Sequence, residues 1–384
     1  MPVHWYGAVA LALVFVPTPA PTRPVTCDPE PGIAEVTGTP WAQERLRFQR
    51  VWRLTKGEGV AVAVVDSGVD ATHPQLAGVV TRQVDLTATD QRDCVGHGTA
   101  VAGIIAGRDL TSRGVPVMGV APAARILAIK QTQGQSGDVS RLAEGIRRAA
   151  DLGADVINVS VQAHDAPQLK AAVTYAQAKD AVIVAAAGNV KQEDGAVSPA
   201  YPAEYPGVVA VGSASPDGKK SDFSNGATRI SVTAPGAGVT SAWTGGGYRT
   251  GLDGTSFAAP FVAGVAALVR ARHPDLDHWQ VKRRLERTAE GGGASGTGAG
   301  LVNPLQAVTS VLPATEEKAA GAAPVVLARA PVPDERMRGI ALGIAGGAVG
   351  ATGLVVFLAL TLPRGRRRGW RAGNTAIFTG KLKS

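Results

Sequence analysis

The chain has 384 residues and a formal net charge of +8 at pH 7. Residues 363–384 contain five arginines, two lysines and no acidic residue, so this tail carries +7 of that charge. The remaining residues are almost neutral and give no indication of a nucleic-acid or other strongly acidic partner.

The chain begins with an apolar segment of ten residues, Gly7–Val16, followed by Pro17-Thr18-Pro19-Ala20. Ten residues are too few to cross a bilayer but are typical of a signal-peptide core, so we expect residues 1–20 to be a signal peptide. The six residues before this segment carry no Lys or Arg, which departs from the pattern, and a soluble apolar helix is the alternative. Residues 21–49 are predicted to be an extension that lies on the domain surface.

The central part of the chain alternates short apolar runs with longer helical patterns. A run such as Val60–Val65 contains no polar residue, so a strand there is buried on both faces, as in a parallel sheet covered by helices. Strands are predicted at residues 60–65, 125–129, 155–159, 181–185, 208–211 and 230–232, and helices at 98–107, 138–152, 168–178, after Ser256 and at 278–288. This alternation predicts an α/β fold with a doubly wound parallel sheet over residues 50–312.

Two cysteines, Cys27 and Cys94, are the only ones in the chain. If the chain is exported, its compartment permits a disulfide, which would hold the extension beside His97. Two unpaired thiols are the alternative.

The C-terminal region has the pattern of a membrane anchor. Residues 313–338 read as a linker, and residues 339–362 contain no charge. These 24 residues would cover about 36 Å as a helix, enough for a hydrocarbon core of about 30 Å. The basic tail that follows predicts a cytoplasmic C-terminus and an extracytoplasmic main domain at the plasma membrane. A nucleic-acid site is the competing explanation of the arginines, and the adjacent span disfavours it.

Three motifs place polar side chains at a strand end or a helix start. Asp66 ends the first predicted strand, His97 opens a helix, and Ser256 precedes the apolar run Phe261–Val269, with Pro260 expected in the first helical turn. Such positions meet at the carboxyl edge of a parallel sheet. An imidazole that removes the serine proton, held by a carboxylate, would make Ser256 a nucleophile. The alternative for Ser256 taken alone is an ordinary helix cap.

A fourth group is needed to stabilise the negative oxygen that forms when a serine attacks a carbonyl. Asn189 follows the predicted strand 181–185 and carries a side-chain N–H donor, so it is our candidate.

Four short sequences together resemble the signatures of subtilisin-like serine proteases: Asp66-Ser67-Gly68-Val69, His97-Gly98-Thr99-Ala100, Ala187-Gly188-Asn189 and Gly254-Thr255-Ser256. The resemblance covers about residues 50–310. It implies a serine endopeptidase with Asp66, His97 and Ser256 as its catalytic residues. It also implies an extended peptide as the substrate and no required cofactor.

The layout of the whole chain narrows the resemblance to the mycosins, the membrane-anchored proteases of type VII secretion systems. Signal peptide, cysteine-bearing extension, protease domain, linker, span and basic tail occur in that order. Ser256-Phe257-Ala258-Ala259-Pro260 and Tyr201-Pro202-Ala203 are also similar to that group. The resemblance implies a type VII membrane complex as the partner.

The segment expected to pair with the substrate departs from the secreted subtilisins, which usually have Ser-Leu-Gly. Here it reads Ser160-Val161-Gln162, and Gln162 adds bulk where glycine would leave room. A strand edge at these residues can still bind an extended peptide. Two carboxylates near the histidine, Asp90 and Asp93, are a weak signal for structural calcium.

Two other functions remain open. The chain could be a structural subunit of a membrane complex whose protease site matters little, or a free-standing cell-surface protease unrelated to secretion.

Overall fold

The computed structural model describes residues 27–33, 35–134, 138–190, 197–312 and 346–360. The backbone divides into two compact units, Met1–Lys318 and Ala319–Ser384. The predicted signal peptide, the linker 313–338 and the tail 363–384 lie outside the described residues. All the strands and helices labelled below belong to the first unit.

The strands are β1 Ala61–Asp66, β2 Val80–Asp85, β3 Arg125–Lys130, β4 Val156–Val159, β5 Val182–Ala186, β6 Val209–Ala214, β7 Val232–Pro235, β8 Val239–Ala242, β9 Tyr248–Leu252, β10 Glu290–Gly291 and β11 Gly300–Leu301. Nine of them form one sheet in the order β10-β11-β7-β6-β5-β4-β1-β3-β2, and β8 and β9 form a separate hairpin. Every pairing in the large sheet is parallel except β10 with β11. The predicted α/β architecture with a mostly parallel sheet is therefore confirmed.

The helices are α1 Trp41–Leu46, α2 His97–Ala106, α3 Val139–Asp151, α4 Pro167–Ala178, α5 Thr255–Arg272, α6 His278–Arg287 and α7 Pro304–Thr309. Several of them begin with ordinary start signals. Asp138 caps α3 by accepting from two backbone N–H groups, and Asp277 forms a capping box with Gln280 at α6. Pro167 begins α4, where a missing N–H costs little.

The sheet separates two hydrophobic layers because alternate strand residues face opposite sides. Val62 and Val64 of β1 pack with α2 and α5, whereas Ala63 and Val65 pack with α3 and α4. Helix α5 is buried along nearly its whole length. It lies against β5 and β6 and places its first residues at the carboxyl edge of the sheet.

A crevice opens at that edge between β1 and β4. The two strands are neighbours, but the chain leaves β1 toward β2 and β3, and leaves β4 toward β5 on the other side. Strand order reverses at this point, and open α/β sheets bind their ligands at such reversals.

Some elements differ from the prediction. Strand β2 was not predicted, because it is an edge strand whose residues are mostly half-buried or exposed and lack a continuous apolar run. Strand β9 lies in the glycine-rich stretch 245–254 and was not predicted either. The expected first-turn position of Pro260 was wrong, since α5 begins at Thr255 and Pro260 lies inside it.

Residues 346–360 of the second unit are helical. No helix among the described residues is both long and apolar enough to cross a membrane. The remaining parts of the predicted span 339–362 lie outside the described residues.

Candidate active site

Asp66 and His97 meet at the carboxyl edge of the sheet. Asp66, the last residue of β1, accepts a hydrogen bond on Oδ1 from His97 Nδ1 at 2.8 Å. The Asp66 side chain is 2% exposed and that of His97 is 22% exposed. The bond holds the ring and leaves its other nitrogen, Nε2, for a reacting group.

Glycines allow α2 to start this close to the loop after β1. Gly96 precedes the helix with φ +84°, a conformation that favours glycine. A Cβ at Gly98 would overlap the carbonyl oxygen of Gly68, so a larger residue there would push the helix away from Asp66. The glycines on both sides of His97 therefore have a steric function.

Asp93 supports the loop that carries His97. Its buried carboxylate accepts five hydrogen bonds, from Ser67 Oγ and from residues 95, 96 and 99. Ser67 in turn donates its backbone N–H to Asp66 Oδ1 at 2.8 Å. Asp93 thus connects both sides of the Asp66–His97 pair. From the sequence, Asp93 was predicted only as a weak calcium ligand, although its position four residues before His97 places it in the same loop.

The environment of His97 favours its protonated form. Burial alone lowers the pKa of His97, but the charge and the hydrogen bond of Asp66, with the charge of Asp93, outweigh it and raise the pKa above 6.5. A base with such a pKa takes a proton more readily than a free imidazole.

Ser256 is the second residue of α5, whose start lies close to His97. The Phe257 ring, one residue along, is 5.0 Å from the His97 ring between centroids. Gly254 precedes the helix with φ +151°. The first N–H groups of a helix have no partner within it, so this position favours developing negative charge.

The Asn189 side chain points its N–H donors toward the same place. Its Oδ1 accepts from the backbone N–H and the hydroxyl of Thr255, at 2.9 and 3.0 Å. These bonds orient the amide, so Nδ2 faces the other way. A Cβ placed on Gly254 would lie 2.8 Å from Ser256 Oγ and 3.3 Å from Asn189 Nδ2. The role of Thr255 in orienting Asn189 was not predicted from the sequence.

The three residues after β4 have different environments. Ser160 is buried, and its hydroxyl donates to the carbonyl oxygen of Ser256 at 2.7 Å, so it supports the site rather than facing a ligand. Val161 is half-buried and Gln162 is exposed. Both line a cavity of about 560 Å³ with Tyr201 and other residues beside the crevice.

The predicted disulfide is present between Cys27 and Cys94. The extension also adds a bridge to β9, where Ile33 and Tyr248 exchange backbone hydrogen bonds of 2.7 and 2.8 Å. Buried Lys130 holds the other side of the disulfide, donating to the carbonyl oxygens of Asp90 and Arg92 at 2.9 and 2.7 Å. The extension is therefore fixed to the loop that leads into His97.

Known proteins share this arrangement of motifs and fold. The profile of the subtilase family, peptidase S8, matches residues 57–316.

The chain belongs to the subtilase family.

Its relatives include both other serine proteinases and mycosins. It is 40% identical over 267 residues to the thermophilic serine proteinase of Bacillus sp. (strain AK1), covering 67% of this chain and 64% of that protein. It is 39% identical over 365 residues to mycosin-4 of Mycobacterium tuberculosis, covering 81% and 79%. The crystal structure of MycP1 from the ESX-1 type VII secretion system aligns with a TM-score of 0.67 at 32% identity, covering 75% of this chain and 92% of that one. The resemblance to mycosin-type subtilisin-like proteases is confirmed.

Proposed function

We propose that this subtilase is a membrane-anchored serine endopeptidase in which Ser256 is the nucleophile, His97 the general base and Asp66 the group that orients His97. The observation that carries the proposal is the 2.8 Å bond between Asp66 and His97, whose ring is tilted against that of Phe257 at the start of α5. Three polar residues from distant parts of the chain converge on one edge of the sheet.

In the first half of the reaction, Ser256 Oγ attacks the carbonyl carbon of a peptide bond, and its proton moves to His97 Nε2. The other ring nitrogen keeps its proton on Asp66. Negative charge develops on the carbonyl oxygen, where Asn189 Nδ2 and the Ser256 backbone N–H donate. The intermediate collapses when His97 gives its proton to the leaving amine, and an acyl ester remains on Ser256.

In the second half, a water molecule attacks the ester and gives its proton to His97. The bond to Ser256 Oγ breaks, His97 returns the proton to that oxygen, and the carboxylic product leaves. The side chains named here account for every proton, so the proposed chemistry requires no cofactor.

Hydrolysis of an unfolded protein by the full-length chain in detergent tests these roles. We expect Ser256→Ala to lower kcat about 10⁶-fold. Asp66→Asn should lower it about 10⁴-fold, because that variant keeps the nucleophile and the base but no longer holds His97 in the tautomer that carries its proton on Nδ1. Hydrolysis by Ser256→Ala at the wild-type rate would contradict the proposal.

The membrane anchor is a separate part of the proposal. Its support is the uncharged stretch 339–362 and the basic tail after it. We expect the chain to stay in alkali-washed membranes, and removal of residues 339–384 to release it with peptide hydrolysis intact. Release of the full-length chain by alkali would contradict the anchor.

We further propose that the enzyme works with a type VII secretion complex on extracytoplasmic proteins, as the mycosin relatives suggest. Two variants separate this from the alternatives. If the chain is a purely structural subunit, Ser256→Ala should leave secretion intact. If it is a free-standing protease, deletion of the whole chain should leave secretion intact. Loss of secretion in Ser256→Ala with the complex still assembled supports the proposed enzymatic role.

A further inference from the structure

Two segments leave the sheet side by side next to Ser256. Residues 160–162 follow β4 and residues 187–189 follow β5, and the two strands pair in parallel register with Val159 opposite Ala185. Continuing past the sheet, the two segments lie on either side of a gap that the contact between Gln162 and Asn189 spans, here called the slot.

The Gln162 side chain crosses this slot from one wall to the other. Its Oε1 accepts a hydrogen bond from the backbone N–H of Asn189 at 3.1 Å. The same oxygen lies only 2.5 Å from where a Cβ on Gly188 would be, and Gly188 has φ +92°. The carboxamide therefore rests directly on the backbone of Gly188, a contact that any larger residue would prevent.

The position of this carboxamide matters because of where a substrate must bind. A carbonyl carbon within reach of Ser256 Oγ, with its oxygen at Asn189 Nδ2, fixes the carbon atom next to it. The side chain on that atom starts two bonds from the held oxygen, next to Asn189, where the slot begins. Gln162 already spans that slot.

We propose that Gln162 limits the substrate residue on the acyl side of the cleaved bond to small side chains such as those of Gly, Ala and Ser. This inference rests on the proposed roles of Ser256 and Asn189. A large side chain needs the volume that the carboxamide fills, so the carboxamide must move and its bond to the Asn189 N–H must break. A methyl group or a hydrogen leaves that bond in place.

The restriction is local to the slot. Gln162 and Val161 also line a neighbouring cavity of about 560 Å³, which offers room for substrate residues further from the cleaved bond.

Peptidyl diphenyl phosphonates test the inference on the full-length chain in detergent, because they modify an activated serine and need no known substrate. Two probes differ only in the side chain next to phosphorus, methyl in one and benzyl in the other. We expect the wild type to react at least ~10-fold faster with the methyl probe, and Gln162→Gly to raise the benzyl-to-methyl rate ratio by about 10- to 100-fold.

Gln162→Met is the matched control. Methionine keeps the length of the side chain but cannot accept from Asn189 N–H as glutamine does, so it should preserve the low ratio while lowering both rates. If Gln162→Met raises the ratio as much as Gln162→Gly does, the hydrogen bond rather than bulk decides, and the size argument is wrong. Gln162→Ala provides a second shortened variant if glycine prevents folding.

A small alkyl fluorophosphonate distinguishes a failure of the proposed function from a failure of the role proposed for Gln162. Failure of folded wild type to react with it counts against the proposed function itself, and the inference falls with it. If the wild type reacts with the alkyl probe but takes the benzyl and methyl probes at equal rates, only the role of Gln162 is overturned. An unchanged ratio in a reactive Gln162→Gly has the same meaning.

Discussion

The Ser160 hydroxyl donates to the Ser256 carbonyl oxygen the hydrogen bond that Pro260 cannot donate. In a helix, the carbonyl oxygen of Ser256 would accept from the N–H of residue 260, four positions later. Proline has no N–H, and the Ser160 hydroxyl donates to that oxygen instead, at 2.7 Å. Asn158 Nδ2 donates to Ser160 Oγ at 2.9 Å, so the hydroxyl is itself held. The strand that forms one wall of the site thus secures the residue that bears the nucleophile.

Ser160→Ala should lower the free energy of unfolding by about 1–3 kcal/mol, because it leaves the partly buried Ser256 carbonyl and the buried Asn158 amide without their partner. Urea unfolding of the protease unit in the full-length chain measures the change. Pro260→Ala supplies a helical N–H, so Ser160→Ala should cost about 1 kcal/mol less in that background. Equal costs in both backgrounds would show that the Ser160 hydroxyl does not replace the missing helical bond.

Asn189→Ala should lower kcat about 10²- to 10³-fold with little change in KM, because the donor acts on charge that appears only during the reaction. Thr255→Val is the companion variant, since it removes one of the two donors that orient the Asn189 amide. We expect a smaller loss there, in kcat as well. Steady-state hydrolysis provides both values, and an unchanged kcat in Asn189→Ala would eliminate the oxyanion assignment.

The activity should fall on the acid side as His97 becomes protonated, because only the neutral ring accepts the serine proton. Since Asp66 and Asp93 raise the pKa of His97, the midpoint of the acid limb of kcat/KM should lie above 6.5. Asp93→Asn removes one of these charges and should move the midpoint to lower pH.

Asp90→Asn is the control for the pH experiment. Asp90 is partly exposed and paired with Arg92 at 2.7 Å, and it is not among the groups that shift the pKa of His97. Its neutralisation should leave the acid limb in place. A shift of the same size in both variants would mean that general surface charge, rather than Asp93, sets the pKa of His97.

Replacing Cys27 and Cys94 together by serine should lower the free energy of unfolding by about 4 kcal/mol in the chain-entropy estimate, since the closed loop is long. The two cysteines are separated by 67 residues. Unfolding of the oxidised wild type, the reduced wild type and the double variant gives the comparison. Equal stability of all three would show that the bridge adds nothing beyond the contacts of the extension.

The interior strands could be predicted because their sequences carry the burial pattern directly. Strands β1 and β5 are uninterrupted apolar runs, and both appear within one or two residues of the predicted bounds. Strand β2 and the β8–β9 hairpin carry no such run, and β9 pairs with Ile33, more than two hundred residues away. A pairing between residues so far apart in the chain produces no pattern in the local sequence.

The candidate site shows the same division. The positions of Asp66 and His97 at a strand end and a helix start were predictable, and the structure brings them within hydrogen-bond distance. The supports of the site were not predictable, because Asp93 and Ser160 act through contacts that form only after folding. The predicted first-turn position of Pro260 was wrong for the same reason, because a proline inside a helix is tolerated when another part of the chain supplies the missing donor.

The most direct test of the account is to label the full-length protein with a fluorophosphonate and identify the modified residue by peptide mapping. Only an activated serine reacts at a useful rate, so the experiment asks about Ser256 without assuming a substrate. We predict that Ser256 is modified in the wild type and that Ser256→Ala is not labelled. A folded wild type that resists the probe, or a Ser256→Ala protein labelled to the same extent, would contradict the account.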